Sequence, residues 1–157
     1  MNTAKTHKRM QIWVIFLLMI TTVSGCEVDT KPIVSGGNPP IIKFEGTGAL
    51  EQLYVMGPYT LEQLKQDRID GDGKGYYMWQ IDPSRDFRVS GLSITYGIVP
   101  NGFKQVYPAN GKAPEPLIEG KIYNILAPSA SANFEPVLFT IDNGKAVVVP
   151  PIKITGK

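Results

Sequence analysis

Proline and glycine set the tightest limit on how this 157-residue chain can fold. All 13 prolines lie at position 32 or later, and 15 of the 16 glycines follow Gly25. Proline interrupts helices and central strands because it lacks an N–H, and glycine supplies the left-handed turns. What survives between these breaks is a series of short apolar runs, of strand length rather than helix length. Such spacing predicts a mainly β fold: an antiparallel β-sandwich, immunoglobulin-like or closed into a small barrel, with one short helix.

The individual runs give this content. Residues 41–44 read as a first strand and 49–56 as a second. Residues 60–68 form the helix candidate, with Thr60 as N-cap and Gln63 closing a capping box. Residues 76–81 are apolar on both faces, as a central or covered strand requires. Leu92, Ile94, Tyr96 and Ile98 alternate with Ser93, Thr95 and Gly97, the pattern of a half-buried strand. Further strands are expected at 103–107, 121–126 and 136–141. Asn143-Gly144, set between Ile141 and the run 146–149, predicts a type I′ hairpin.

The first 26 residues are of another kind. Residues 1–11 carry Lys5, Lys8 and Arg9 without an acid, and 12–23 form an uncharged, largely apolar run. A basic head before a short apolar segment is the layout of a helical secretory signal peptide. The run falls short of the roughly 20 residues a membrane-crossing helix needs. Val23-Ser24-Gly25-Cys26 follows, an aliphatic residue and two small ones before a cysteine. This segment resembles the lipobox of bacterial lipoproteins. The resemblance implies cleavage before Cys26, a thioether-linked diacylglycerol on its sulfur and acylation (palmitate among the acyl groups) of the new amine. Two or more acyl chains hold a protein stably on a bilayer. The expected organisation is therefore a cleaved leader at 1–25, a lipidated cysteine with a flexible tether at 26–40, and one β domain at 41–157. The expected address is the cell membrane or the outer membrane, facing the periplasm or the exterior. Glu27, rather than Asp, follows the cysteine, and in enteric-type lipoproteins that favours the outer membrane.

Removal of the leader changes the chemistry on offer. Over the whole chain 16 Lys and Arg oppose 14 Asp and Glu. The leader holds three of the cations and none of the acids, so the mature chain is close to neutral and has no basic patch for nucleic acid. The leader also holds His7, the only histidine, and the only cysteine is Cys26. A mature chain of this composition has no Ser-His-Asp or Cys-His catalysis, no thiol redox couple, no His/Cys zinc site and no disulfide. No cofactor is expected. Its large apolar residues suffice for one core at this size.

Three groups of residues are candidates for a site. Asp70 and Asp72, in the run Asp-Gly-Asp-Gly-Lys-Gly, resemble the opening of a calcium loop. Lys74 stands where a third oxygen ligand belongs and Ile81 where the bidentate Glu belongs, so a Gly-Asp-rich turn accounts for the run without an ion. Tyr76, Tyr77 and Trp79 form the second group, an aromatic platform for a sugar or a protein partner. Strict alternation puts Tyr77, Trp79 and Ile81 on one face and Tyr76, Met78 and Gln80 on the other, and whichever face packs inward is core. Asp82, Asp86, Glu115, Glu119, Glu135 and Asp142 form the third, the carboxylates from which a glycosidase would need two at suitable separation. Most sit beside Pro, Gly or Asn in apparent turns, as solvated acids do. The loops 112–116 and 128–133 are exposed connections of the kind that carry binding. Residues 94–103, 116–117 and 119–123 resemble segments of uncharacterised bacterial proteins, and no activity comes with that likeness.

The sequence thus leads to a non-enzymatic lipoprotein that binds or supports another envelope component, held to the bilayer through Cys26. A carbohydrate- or peptidoglycan-binding module working through the Tyr76–Trp79 region is the alternative, and a carboxylate-based glycan hydrolase ranks behind both.

Overall fold

The computed structural model describes residues 30–65, 76–85, 87–129 and 136–150. Eleven strands follow one another: β1 (Lys31–Ser35), β2 (Ile41–Glu45), β3 (Ala49–Leu50), β4 (Leu53–Tyr59), β5 (Tyr77–Pro83), β6 (Phe87–Arg88), β7 (Ser93–Thr95), β8 (Phe103–Tyr107), β9 (Ile122–Leu126), β10 (Val137–Asp142) and β11 (Lys145–Val148). One short helix, α1 (Leu61–Lys65), lies between β4 and β5, and a 3-10 turn at Ala109–Gly111 follows β8. The strands build a six-stranded sheet in the order β11-β10-β9-β4-β5-β8 and a three-stranded sheet in the order β1-β2-β7, with β3 and β6 as a small ribbon. Every ladder between named strands is antiparallel. The two larger sheets pack on each other. Val34, Ile42 and Ile94 of the small sheet share one core with Val55, Trp79, Ile81, Ile125, Phe139 and Ile141 of the large one. The fold is an antiparallel β-sandwich with one short helix, as the Pro/Gly spacing predicts.

Local signals explain the elements that sequence located. The Thr60 backbone N–H donates to Gln63 Oε1 (2.7 Å), and the Gln63 N–H donates back to Thr60 Oγ1 (3.2 Å), so the capping box closes around the first turn of α1. Asn143 and Gly144 take φ of 50° and 71°, the two left-handed residues of a type I′ turn, and Asp142 pairs with Lys145 across it.

Three expectations need correction. The tether does not extend to residue 40. Residues 31–35 form β1, paired in register with β2 from Lys31↔Glu45 to Ser35↔Ile41, with Pro32 and Val34 buried. Proline is admissible there because β1 is an edge strand of its sheet, and the Gly36–Pro40 run is the turn into β2. The expected strand at 49–56 is two elements, because the chain leaves one ladder for another at Glu51 and Gln52. The alternation at 92–98 yields only β7. Gly97, at φ 81°, turns the chain out of the ladder, and Ile98 is left exposed.

β4 is the strand on which the large sheet depends, flanked by β5 and β9 with an irregular register on both sides. Gly57 makes this fit. At φ 138° it holds a conformation closed to most L-residues, and an added Cβ would come within 2.8 Å of the Tyr123 ring and 3.0 Å of the Ile122 carbonyl. Gly57→Ala is expected to lower stability by about 2–4 kcal/mol in urea unfolding. Gly91→Ala, at φ 73° with open space around it, is expected to cost about 1 kcal/mol.

Candidate functional site

A β-sandwich commonly solvates the outer faces of its sheets. The large sheet here does not. Its inner face carries Val55, Trp79, Ile125 and Phe139. Its outer face holds a second apolar cluster of Met56, Tyr59 and Leu64, with Tyr54, Tyr76, Tyr77, Ile122, Leu126 and Leu138 packed around it. Ladder register orders this face into rows. Leu138, Asn124, Met56 and Tyr77 are successive cross-strand neighbours, as are Leu126, Tyr54, Gln80 and Tyr107.

The arrangement arises from a bulge. Val55 pairs with Trp79 while the next residue, Met56, pairs with Tyr77, so Met78 is an extra residue in β5. Alternation fails at that point. Met78, Trp79 and Ile81 all join the inner core, and Tyr77 passes to the outer face. The expected grouping of Tyr77 with Trp79 and Ile81 is therefore corrected.

Trp79 belongs to no surface. It is fully buried, its indole N–H donates to Gln105 Oε1 at 3.1 Å, and its ring meets Tyr96 edge-on at 5.5 Å. Tyr76 and Tyr77 are half-buried and do come together on the outer face, joined by two tyrosines that the sequence did not single out. Tyr54 stacks on Tyr77 (5.3 Å, 28°), and Tyr59 lies against Tyr76 (5.0 Å, 34°). The signal for Tyr54 was available, because the run from Leu53 to Met56 is apolar at four successive positions and so on both faces.

Polar groups edge this tyrosine cluster. The Tyr54 hydroxyl donates to Gln52 Oε1. Gln80, between Tyr54 and Tyr107 in its row, donates through Nε2 to Asp82 Oδ1 at 3.1 Å. Tyr107 is 45% exposed. Two further polar atoms of this face, the Tyr59 hydroxyl and Asn124 Oδ1, are buried with no hydrogen-bond partner, as is Thr30 Oγ1 ahead of β1. Burial, then the neighbouring Tyr76 and Tyr77, push the Tyr59 phenol up to about 12. Burial also raises Tyr54, with Tyr77 and Asp82 adding to it.

The other candidates do not converge. Glu119 receives the Gly144 N–H at 3.4 Å, and Asp142 receives the Asn143 side-chain amide at 3.0 Å, so both serve the β10–β11 turn. Asp86, Glu135, Asp70, Asp72 and the lipobox residues Val23, Ser24, Gly25 and Cys26 lie outside the described residues. Among the described residues no three His, Cys, Asp or Glu side chains gather as metal ligands, and no helix is long and apolar enough to cross a membrane. The loop 112–116 walls a depression of about 310 Å³ with Asn38, Pro39, Tyr96 and Leu117. Its polar groups are engaged internally: Asn38 Nδ2 donates to the Leu117 carbonyl (3.0 Å) and the Tyr96 hydroxyl to the Glu115 carbonyl (2.8 Å). Pro128 and Ser129 begin the loop that leaves β9, at the opposite end of that strand from the one where 117–121 enters.

Comparison with known proteins gives no match: neither a protein-family model, nor a curated protein, nor a solved structure is similar to this chain.

A buried hydroxyl without a partner costs stability. Tyr59→Phe is expected to raise stability at neutral pH by about 1 kcal/mol, measured by thermal or urea unfolding. The same variant tests the ionisation. The folded chain keeps the Tyr59 proton to about pH 12, whereas the unfolded chain releases it near the ordinary 10.0. The contribution is full below pH 10 and is lost as pH rises toward 12, and Tyr59→Phe is expected to flatten that decline by about 2–3 kcal/mol.

Proposed function

We propose that this chain is a lipid-anchored, non-enzymatic binding protein of the bacterial cell envelope, and that it engages its partner through the outer face of the six-stranded sheet. The observation that carries the binding role is that face itself. It is apolar and aromatic where a free-standing sandwich presents polar side chains, and it includes two buried polar atoms left without partners. The anchor rests on the basic head, the short apolar run and Val23-Ser24-Gly25-Cys26. Metabolic labelling with radioactive palmitate tests it. Label that enters the wild type, sediments with membranes and is absent from Cys26→Ser supports the anchor; an unlabelled wild type removes it.

A glycan partner is the second reading, favoured by the composition of one corner of the face. Stacked Tyr54 and Tyr77 and exposed Tyr107 offer ring surfaces to the C–H side of a sugar. Gln52, Gln80 and Asp82 border them with amide and carboxylate groups that match hydroxyls. On a glycan array, or with solubilised peptidoglycan, Tyr107→Ala is expected to weaken binding at least about tenfold, the loss of one ring contact plus its burial, with unfolding unchanged. Equal binding by the variant, or no binding by the wild type, counts against a glycan. Trp79→Ala is unsuitable for this purpose, since emptying that core position is expected to cost about 3–5 kcal/mol of stability.

A further inference from the structure

We infer that the acylated chain sits close against the bilayer, with the sandwich end that carries Lys31 turned toward the lipid headgroups and the end that carries the β10–β11 turn pointing away. This rests on the anchor proposed above and adds an orientation to it.

The argument is one of reach. Thr30, just ahead of β1, is already buried in the body, and the β1 ladder to β2 is closed from its first residue, so only three residues separate Cys26 from the fold. Four Cα-to-Cα steps span at most about 14 Å when fully extended. Most strands of the large sheet, at roughly 3.3 Å per residue, are longer than that reach. A tether no longer than the body it holds keeps the attached end nearest to the membrane.

The topology identifies what that end is. Lys31 pairs with Glu45 at the far end of β2 from its turn. The connections from β2 to β4 and from β5 to β7 gather at the same end, joined where the Val89 N–H donates to the Gly48 carbonyl. At the other end the Ala146 N–H reaches the Gly36 carbonyl, which places the β1–β2 turn beside the β10–β11 turn.

The test uses the full-length protein, purified with its native acyl chains and placed in vesicles of phosphatidylethanolamine and phosphatidylglycerol carrying a nitroxide on the headgroup. Cys26 is blocked by its lipid, so a cysteine introduced at exposed Ser84 or exposed Lys145 is the single thiol for a fluorophore. Quenching is expected to be several-fold stronger at 84 than at 145. Equal or reversed quenching, in protein that carries palmitate label, overturns the orientation and leaves the anchor standing. Protein without the label overturns both. A Gly-Ser spacer of about 20 residues placed after Glu27, with a mean span near 25 Å, is expected to abolish the difference. A difference that survives the spacer overturns the role of the short tether.

Discussion

The indole of Trp79 is the contact on which most of this structure depends. It fills the space between the two sheets, and its N–H finds the side chain of Gln105 on β8. Gln105 then uses its own amide to hold the carbonyls of Pro108 and Lys112 at 2.8 and 2.7 Å. The next residues of the same connection are held the same way. The Tyr96 hydroxyl takes the Glu115 carbonyl, the Tyr123 hydroxyl accepts the Ile118 N–H at 2.7 Å, and Asn38 takes the Leu117 carbonyl. A connection from β8 to β9 with three prolines has few ladder bonds to make. It is satisfied instead by polar tips of side chains whose rings or bodies belong to the core, which meets the demand that buried backbone groups be paired. Burial raises the pKa of both Tyr96 and Tyr123 above the ordinary phenol value, so these handles stay neutral throughout the physiological range.

What sequence could locate follows from the range of the interactions involved. The hairpin at Asn143-Gly144 and the capping box at Thr60 and Gln63 are made by residues within three positions of one another, and residue type alone dictates them. β8 and β9 were placed by apolar runs bounded by breakers. β1 escaped because Pro32, Gly36, Gly37, Pro39 and Pro40 have the composition of a linker, and only pairing with β2, decided by Val34 and Phe44 meeting one core, makes a strand of it. The candidate face escaped for a similar reason. One extra residue at Met78 moves Tyr77 to the outer face beside Tyr76, and no local signal marks a bulge whose cause is the fit of β4 between two neighbours. Hence alternation ties Tyr77 to Trp79, whereas the structure buries Trp79 in the core and puts Tyr77 on the outer face.

The edges of the large sheet sharpen the reading of its face. β11 is short, its Ala146 N–H is taken by Gly36, and Pro150 follows the strand with no N–H to offer. β8, the opposite edge, has an irregular register around Val106, a lysine at 104 and a proline after Tyr107. These are the devices by which natural sheets discourage the addition of another strand. Under the binding role proposed above, a sheet that guards both edges would make its contact through the side chains of its outer face, not through its ladders.

Orientation and face then bear on each other. In the orientation proposed above, strands that run from a lipid-facing end to a distal end would stand upright on the membrane, and the outer face of the large sheet would stand with them. A partner meeting Tyr54, Tyr77 and Tyr107 would approach alongside the bilayer, within the thickness of the headgroup-adjacent layer rather than from above. The unpaired Tyr59 hydroxyl and Asn124 carbonyl oxygen are both buried, so they weaken the isolated domain without offering a surface to solvent. Under the binding role proposed above, contact would fall on the half-buried and exposed rings of Tyr54, Tyr77 and Tyr107 around them.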